Sequence, residues 1–260
     1  MNHENPPAWR LPPGVNASLW TYAHTPRLAH EEDHYFAGHP LFERDTIELD
    51  ARFKTPGRLI DLGCGTGRHA LRFASRGFES VAVDLSQFML EQVGLKADAS
   101  LPLHRVRANL CRLGCFPDAT FDYALSMFST LGMIRTPQTR RVALAEFARL
   151  LKPGGRLALH AHNIFLNLRD PQGRRWLLTQ LGLFLRGSSS AGDQLMTYRG
   201  IPAMEVHLYR WGELRRDLTR AGLRIEEVVA IDEVMARPIA MPGLGHSLRA
   251  GGWILFCRRV

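Results

Sequence analysis

The chain has 260 residues, enough for one well-buried α/β domain with an elaboration and too few for two independent enzymes of ordinary size. Its net charge of +8 fits an anionic partner, yet 30 of its 33 basic residues are arginine, a skew that genomic base composition can produce without selection for nucleic acid. No apolar run approaches the about 18 residues that span a bilayer, MNHENPPAWRLPPG lacks a signal peptide's pattern, and the cysteines at 64, 111, 115 and 257 form no disulfide framework or zinc pattern; a cytoplasmic protein with reduced thiols and no membrane contact is expected.

Residues 1–53 read as an N-terminal flap or helical segment, in which LWTYAHTPRLAHEEDHYFAGHPLF (19–42) carries four histidines and several aromatics. Residues 54–260 then read as the binding domain. A short buried strand at Leu59 and Ile60 leads into DLGCGTG (61–67), and apolar residues at helical spacing follow from Arg68 to Arg76. Three glycines in five positions need positive φ or close approach to another body, so the loop is read as wrapped on a ligand. ESVAVD (79–84) is a second strand, LSQFMLEQVG (85–94) a helix, and LHRVR (103–107) and FDYAL (121–125) further strands. A helix at about 137–151, a KPGG turn at 152–155 and a strand at 156–160 continue the alternation. Regular alternation predicts a doubly wound α/β fold, Rossmann-like, whose ligands bind beyond the carboxyl ends of the parallel strands.

Gly65-Thr66-Gly67-Arg68-His69-Ala70 with Asp84 also fits a dinucleotide fingerprint. Asp84 suits the ribose of either a dinucleotide or an S-adenosyl compound. Asp61 separates the two, since an acid ahead of the loop repels a pyrophosphate but suits an ammonium and a sulfonium.

DLGCGTG (61–67), VAVDLS (81–86), FPDATFDYAL (116–125) and LLKPGGRLAL (150–159), in that order and spacing, resemble class I S-adenosylmethionine-dependent methyltransferases, nearest to the type 11 group. The resemblance covers 58–162, then more weakly the helix at 211–222 and the strand at 253–259. It implies a mostly parallel seven-stranded sheet with an antiparallel last strand (252–258) and an insert, 163–209, capping the acceptor. It places Asp61, Gly63, Cys64, Gly65 and Gly67 along the methionine part of the cofactor and Asp84 on the ribose. Leu85, Asn109, Leu110 and Met127 complete the cofactor site, with Asn109 where family members often carry an aspartate against adenine.

The implied reaction is transfer of a methyl group from S-adenosylmethionine to a small-molecule acceptor by in-line displacement, leaving S-adenosylhomocysteine. If the acceptor must lose a proton, His160, His162 and His207 are the candidate bases, with Tyr209 beside them. Asp122 reads as a strand-start residue. No metal is expected, because the H-x-H pair at 160–162 has no carboxylate cluster near it in sequence. Within the insert, a helix at 174–186, a loop at 186–194 and two strand-like runs are expected, and Trp176, Phe184, Tyr198 and Tyr209 are candidates to wall a pocket.

Ser126-Met127-Phe128-Ser129 lacks the Pro-Pro-aromatic signature of amide and adenine-amino methyltransferases, and no Pro-Cys pair is present for cytosine-C5 chemistry. VHLYRWGEL (206–214) faintly resembles a segment of tRNA wobble-uridine methyltransferases, but Glu205 and Val206 stand where an arginine and tyrosines are expected. An RNA acceptor is the alternative reading, and a non-catalytic cofactor-binding regulator or an NAD-linked reductase the readings of other classes.

Overall fold

The computed structural model describes residues 6–260; the first five residues of the predicted flap lie outside the described residues. Among the described residues a short 3-10 turn (Ala8–Arg10) leads into three helices, α1 (Ala17–Ala23), α2 (Pro26–Tyr35) and α3 (Pro40–Arg52). Asn16 caps α1 by accepting the Leu19 amide at 2.9 Å, and Pro26 and Pro40 begin α2 and α3, where a missing N–H leaves no bond unmade.

The alternating part follows as β1 (Arg58–Leu62), α4 (Arg68–Ala74), β2 (Glu79–Asp84), α5 (Gln87–Lys96), β3 (Leu103–Arg107), β4 (Phe121–Ser126), α6 (Thr130–Met133), α7 (Pro137–Leu150) and β5 (Leu151–His162). The insert holds a 3-10 segment (Ile164–Arg169), α8 (Pro171–Leu185) and a hairpin of β6 (Asp193–Tyr198) and β7 (Ile201–His207). The chain ends with α9 (Trp211–Arg220), β8 (Leu223–Asp232), β9 (Arg237–Pro238), α10 (His246–Arg249) and β10 (Gly252–Arg259).

The main sheet runs β3-β2-β1-β4-β5-β10-β8-β9. Strands β3 to β5 pair in parallel, and β10 lies antiparallel between β5 and β8, as the resemblance implied for the last strand. Eight strands are present rather than seven, because the two-residue β9 pairs with Ile231 and Asp232 at the edge. The predicted KPGG turn is a bulge inside β5: Phe121 faces Leu151 while Tyr123 faces Arg156, so residues 152–155 are pushed out of the ladder.

Side chains alternate between two core layers, as strand pleating requires. Trp253, Leu255 and Cys257 pack with Leu144 and Phe147 of α7 and Leu218 of α9. Ile254 and Phe256 join Leu49 of α3 and Phe73 of α4 on the opposite face. Sheet order reverses between β2 and β4 about β1, which opens a crevice at the carboxyl end of β1. Over that crevice lie α1, α2 and the β6–β7 hairpin, locked together where Leu28 packs with Ile201 and Met204.

Candidate active site

The crevice is a cleft of about 430 Å³, within the range of small-ligand pockets. Asp61, Gly63, Cys64 and Gly65 line it from the glycine loop, Asp84 and Leu85 from the end of β2, and Asn109, Leu110 and Met127 from the ends beyond β3 and β4. Of the predicted cofactor residues, Gly67 alone does not line it. It is the left-handed N-cap of α4, and a Cβ there would meet Val93 Cγ2 at 2.7 Å. Gly63 is likewise held by packing, since a Cβ would meet Thr130 Cγ2 at 2.3 Å. Gly65 differs: its φ is +53° and a Cβ would have nothing within 4 Å, so it presents bare backbone to the cleft.

The acids around the loop, Asp61 buried and Asp84 half-buried, are braced by backbone amides. Asp84 accepts from Gly65 at 2.9 Å and Ser86 at 2.8 Å, and burial raises its pKa. Asp61 accepts from Ala70 at 3.2 Å, and burial lifts it to about 7 against the opposing pull of Arg68. Asn109 donates to the Pro13 carbonyl at 2.9 Å and accepts from the Cys111 amide at 2.7 Å. Its side chain therefore fastens the N-terminal segment across one end of the cleft, with one acceptor lone pair still available.

Further clasps close α1 and α2 over the loop. Thr66 donates to Asp33 at 2.6 Å, Lys96 donates to the same carboxylate at 2.7 Å, and Ser86 donates to the Ala23 carbonyl at 2.6 Å. Beneath this cover sits Glu32, which lines the cleft, pairs with the buried Arg199 and lies near Tyr22. Burial raises Glu32 to about 7, with Arg199 opposing the rise. His69 also lines the cleft; burial, helped by Arg68, lowers it to about 3, and neither ring nitrogen has a hydrogen-bond partner.

None of the three predicted histidines lines the cleft. His160 is fully buried, its Nδ1 2.9 Å from Asp45 and its Nε2 3.8 Å from Glu233. His162 Nδ1 lies 2.6 Å from Glu233. Phe128, which does line the cleft, packs edge-on against both imidazoles, and they lie behind it. His207 spends both nitrogens on Asp193 (2.6 Å) and Glu213 (2.9 Å), bracing the hairpin against α9. Of the four aromatics expected to wall a pocket, Tyr198 does so, while Tyr209 is core and Trp176 and Phe184 lie away from the cleft.

Sequence reasoning missed Glu32, Asp33, Tyr22 and His69. Glu31-Glu32-Asp33 reads as a solvated acidic helix face, and the partner that explains Glu32 lies 167 residues away. His69 stood in the quoted glycine fingerprint, where attention fell on the glycines.

The fold is that of class I S-adenosylmethionine-dependent methyltransferases. Residues 59–155 match the family model described as a methyltransferase domain. It is 33% identical over 123 residues to an O-methyltransferase, resE, of Aspergillus sclerotiorum, covering 45% of each chain. It is 35% identical over 107 residues to the dTDP-3-amino-3,4,6-trideoxy-alpha-D-glucopyranose N,N-dimethyltransferase of Streptomyces venezuelae, covering 40% of this chain and 43% of that one. The chain thus spans less than half the length of either curated relative. Among solved structures, the 1,6-didemethyltoxoflavin-N1-methyltransferase of Burkholderia thailandensis, bound to its acceptor and S-adenosylhomocysteine, superposes with a TM-score of 0.60 at 18% identity, covering 90% of this chain and 84% of that one. At that identity the likeness is one of fold.

Proposed function

We propose that this chain transfers a methyl group from S-adenosylmethionine to a small-molecule acceptor. The observation that carries the reading is the cleft's wall: two carboxylates, the buried Asp61 and the half-buried Asp84, flank a glycine whose bare backbone faces open space. That donor set fits the cofactor, with Asp84 for ribose hydroxyls, Asp61 beside the cationic methionine end, and Asn109, Leu110 and Met127 for adenine and the methyl region. When bound, the cofactor supplies an already activated methyl. The chain's own work is to align the acceptor and keep water out, which α1, α2, the hairpin and Phe128 do by roofing the cleft. Glu32 is the group poised to take a proton from the acceptor, since a pKa of about 7 lets it act near neutral pH.

A small acceptor is favoured by the roofed cleft and by where the arginines go. Arg52, Arg72, Arg76, Arg149 and Arg258 are spent on carboxylates, leaving less free charge for a phosphate backbone than the net value suggests. The O- and N-methyltransferase relatives point the same way.

The test is isothermal titration with S-adenosylhomocysteine, with NADH and bulk tRNA at two salt concentrations as controls. Saturable binding of the first alone supports the reading and licenses an acceptor screen, in which Glu32→Gln should remove an acid limb near pH 7. Folded protein that ignores S-adenosylhomocysteine overturns it, and salt-sensitive tRNA binding redirects the acceptor to RNA.

A further inference from the structure

Behind Phe128, outside the cleft, the topology gathers groups that are remote in sequence. His160 and His162 are two apart on β5, so the pleat turns both imidazoles to the face that α3 covers. Asp45 comes to them from α3, and Glu233 from the residue after β8, across the intervening β10. We propose that His160 Nε2, His162 Nδ1 and a Glu233 carboxylate oxygen form a binding site for a divalent ion of the zinc type, with Asp45 orienting the His160 ring.

The geometry is that of a ligand set. One nitrogen from each histidine and a Glu233 oxygen all lie within 4.8 Å of one another. The Glu233 oxygen is 2.6 Å from His162 Nδ1 and 3.8 Å from His160 Nε2, distances that bracket the roughly 3.4 Å between ligand atoms about a tetrahedral ion with bonds near 2 Å. Asp45 sits 2.9 Å from the other nitrogen of His160, the place where a carboxylate fixes the tautomer and aim of a metal-ligating histidine. His160 is fully buried, and neither of its ring nitrogens makes a well-formed hydrogen bond, which a buried imidazole rarely tolerates without a further partner.

The site is also built by what is missing beside it. A Cβ on Gly252 would meet Glu233 Oε1 at 2.0 Å, and one on Gly251 would meet the Glu233 Cβ at 3.1 Å. Two consecutive glycines at the start of β10 thus open the slot through which the carboxylate reaches the histidines. His162 keeps 18% of its side chain exposed, which gives an ion a way in. Two imidazoles and one carboxylate suit zinc or a similar transition ion, whereas magnesium and calcium prefer all-oxygen sets. The local sequence showed no carboxylate beside the H-x-H pair because both acids arrive from other elements.

The test uses the full chain stripped with a chelator. Zinc titration followed by calorimetry should give one ion per chain and a raised melting temperature. Cobalt should give the weak visible bands of nitrogen and oxygen ligation, without the intense thiolate band that binding at a cysteine would produce. His162→Ala and Glu233→Gln should weaken zinc by about 100-fold or more, and Asp45→Asn by about 10- to 100-fold. Metal-free melts of each variant report folding separately, and the part-exposed His162 keeps the test usable if Glu233→Gln misfolds. No saturable binding by folded wild-type protein overturns the proposal. So does one-ion binding that His162→Ala leaves unchanged, or a thiolate spectrum.

Discussion

The Asp84 carboxylate holds the Gly65 amide at 2.9 Å, so the residue expected to bind a ribose is also the post to which the glycine loop is tied. Asp84→Ala should therefore lose a charged ribose contact and a loop anchor together. The expected result is more than tenfold weaker S-adenosylhomocysteine, on the order of 1.5–3 kcal/mol. Asp84→Asn, which can still accept from Gly65, should lose less. Calorimetry on both variants checks the order, and equal losses would leave the anchor without a role.

Alanine in place of each loop glycine should separate packing from binding. Gly63→Ala and Gly67→Ala drive a Cβ into Thr130 and Val93, and should lower the melting temperature most. Gly65→Ala meets open space and carries only the cost of its left-handed backbone, about 1–2 kcal/mol, yet its methyl enters the cleft. Its cofactor affinity should fall out of proportion to its stability. Thermal melts beside ligand titrations read both.

Asp61 gives a pH signature with a definite sign. Burial lifts it to about 7 from an ordinary 3.8, so between those values the folded chain keeps a proton that the unfolded chain has lost. Stability is then full below about pH 4, falls as pH rises toward 7, and levels off above. A cationic cofactor favours the ionised carboxylate, so affinity should do the opposite and rise with pH up to about 7, by at most about tenfold per unit. Asp61→Asn should flatten both curves. Denaturant melts and calorimetry from pH 5 to 8 measure them.

The clasp between Asp33 and Thr66 should govern how firmly the roof stays shut. Asp33→Asn weakens the solvent-facing Lys96 ion pair and the Thr66 contact while keeping an oxygen that can accept from Thr66, so global stability should change by no more than about 1 kcal/mol. Hydrogen exchange across 17–36 should quicken, and bound S-adenosylhomocysteine should dissociate faster in stopped flow. Unchanged exchange would show that packing of Leu28 on the hairpin holds the roof by itself.

Local patterns made the glycine-loop wall of the cleft legible: glycines at fixed spacing, an acid ending β2, and strand-helix alternation are all written within short windows. Strand β8 was not read from the sequence, because Glu226 and Glu227 interrupt its apolar run to pair with Arg258 and Arg52. The wall formed by the N-terminal helices and the hairpin was not legible. Glu32 looks like one of three solvated acids until Arg199 and the hairpin cover it. His160 and His162 looked crevice-facing from their place at a strand end, and only the packing of Phe128 shows that they lie behind the wall. Such assignments depend on which distant element lands on which face, and the sequence does not encode that locally.

The position of β10 has a consequence for how the protein is made. Residues 252–259 fill a slot between β5 and β8, both laid down earlier. Until that stretch clears the ribosome, β5 has a bare flank and β8, paired only with the two-residue β9, is cut off from the main ladder, so two apolar sheet edges wait in the open. Truncation within those eight residues should cost the whole fold rather than fray one end, and the nascent chain is most exposed to aggregation just before synthesis of that stretch finishes.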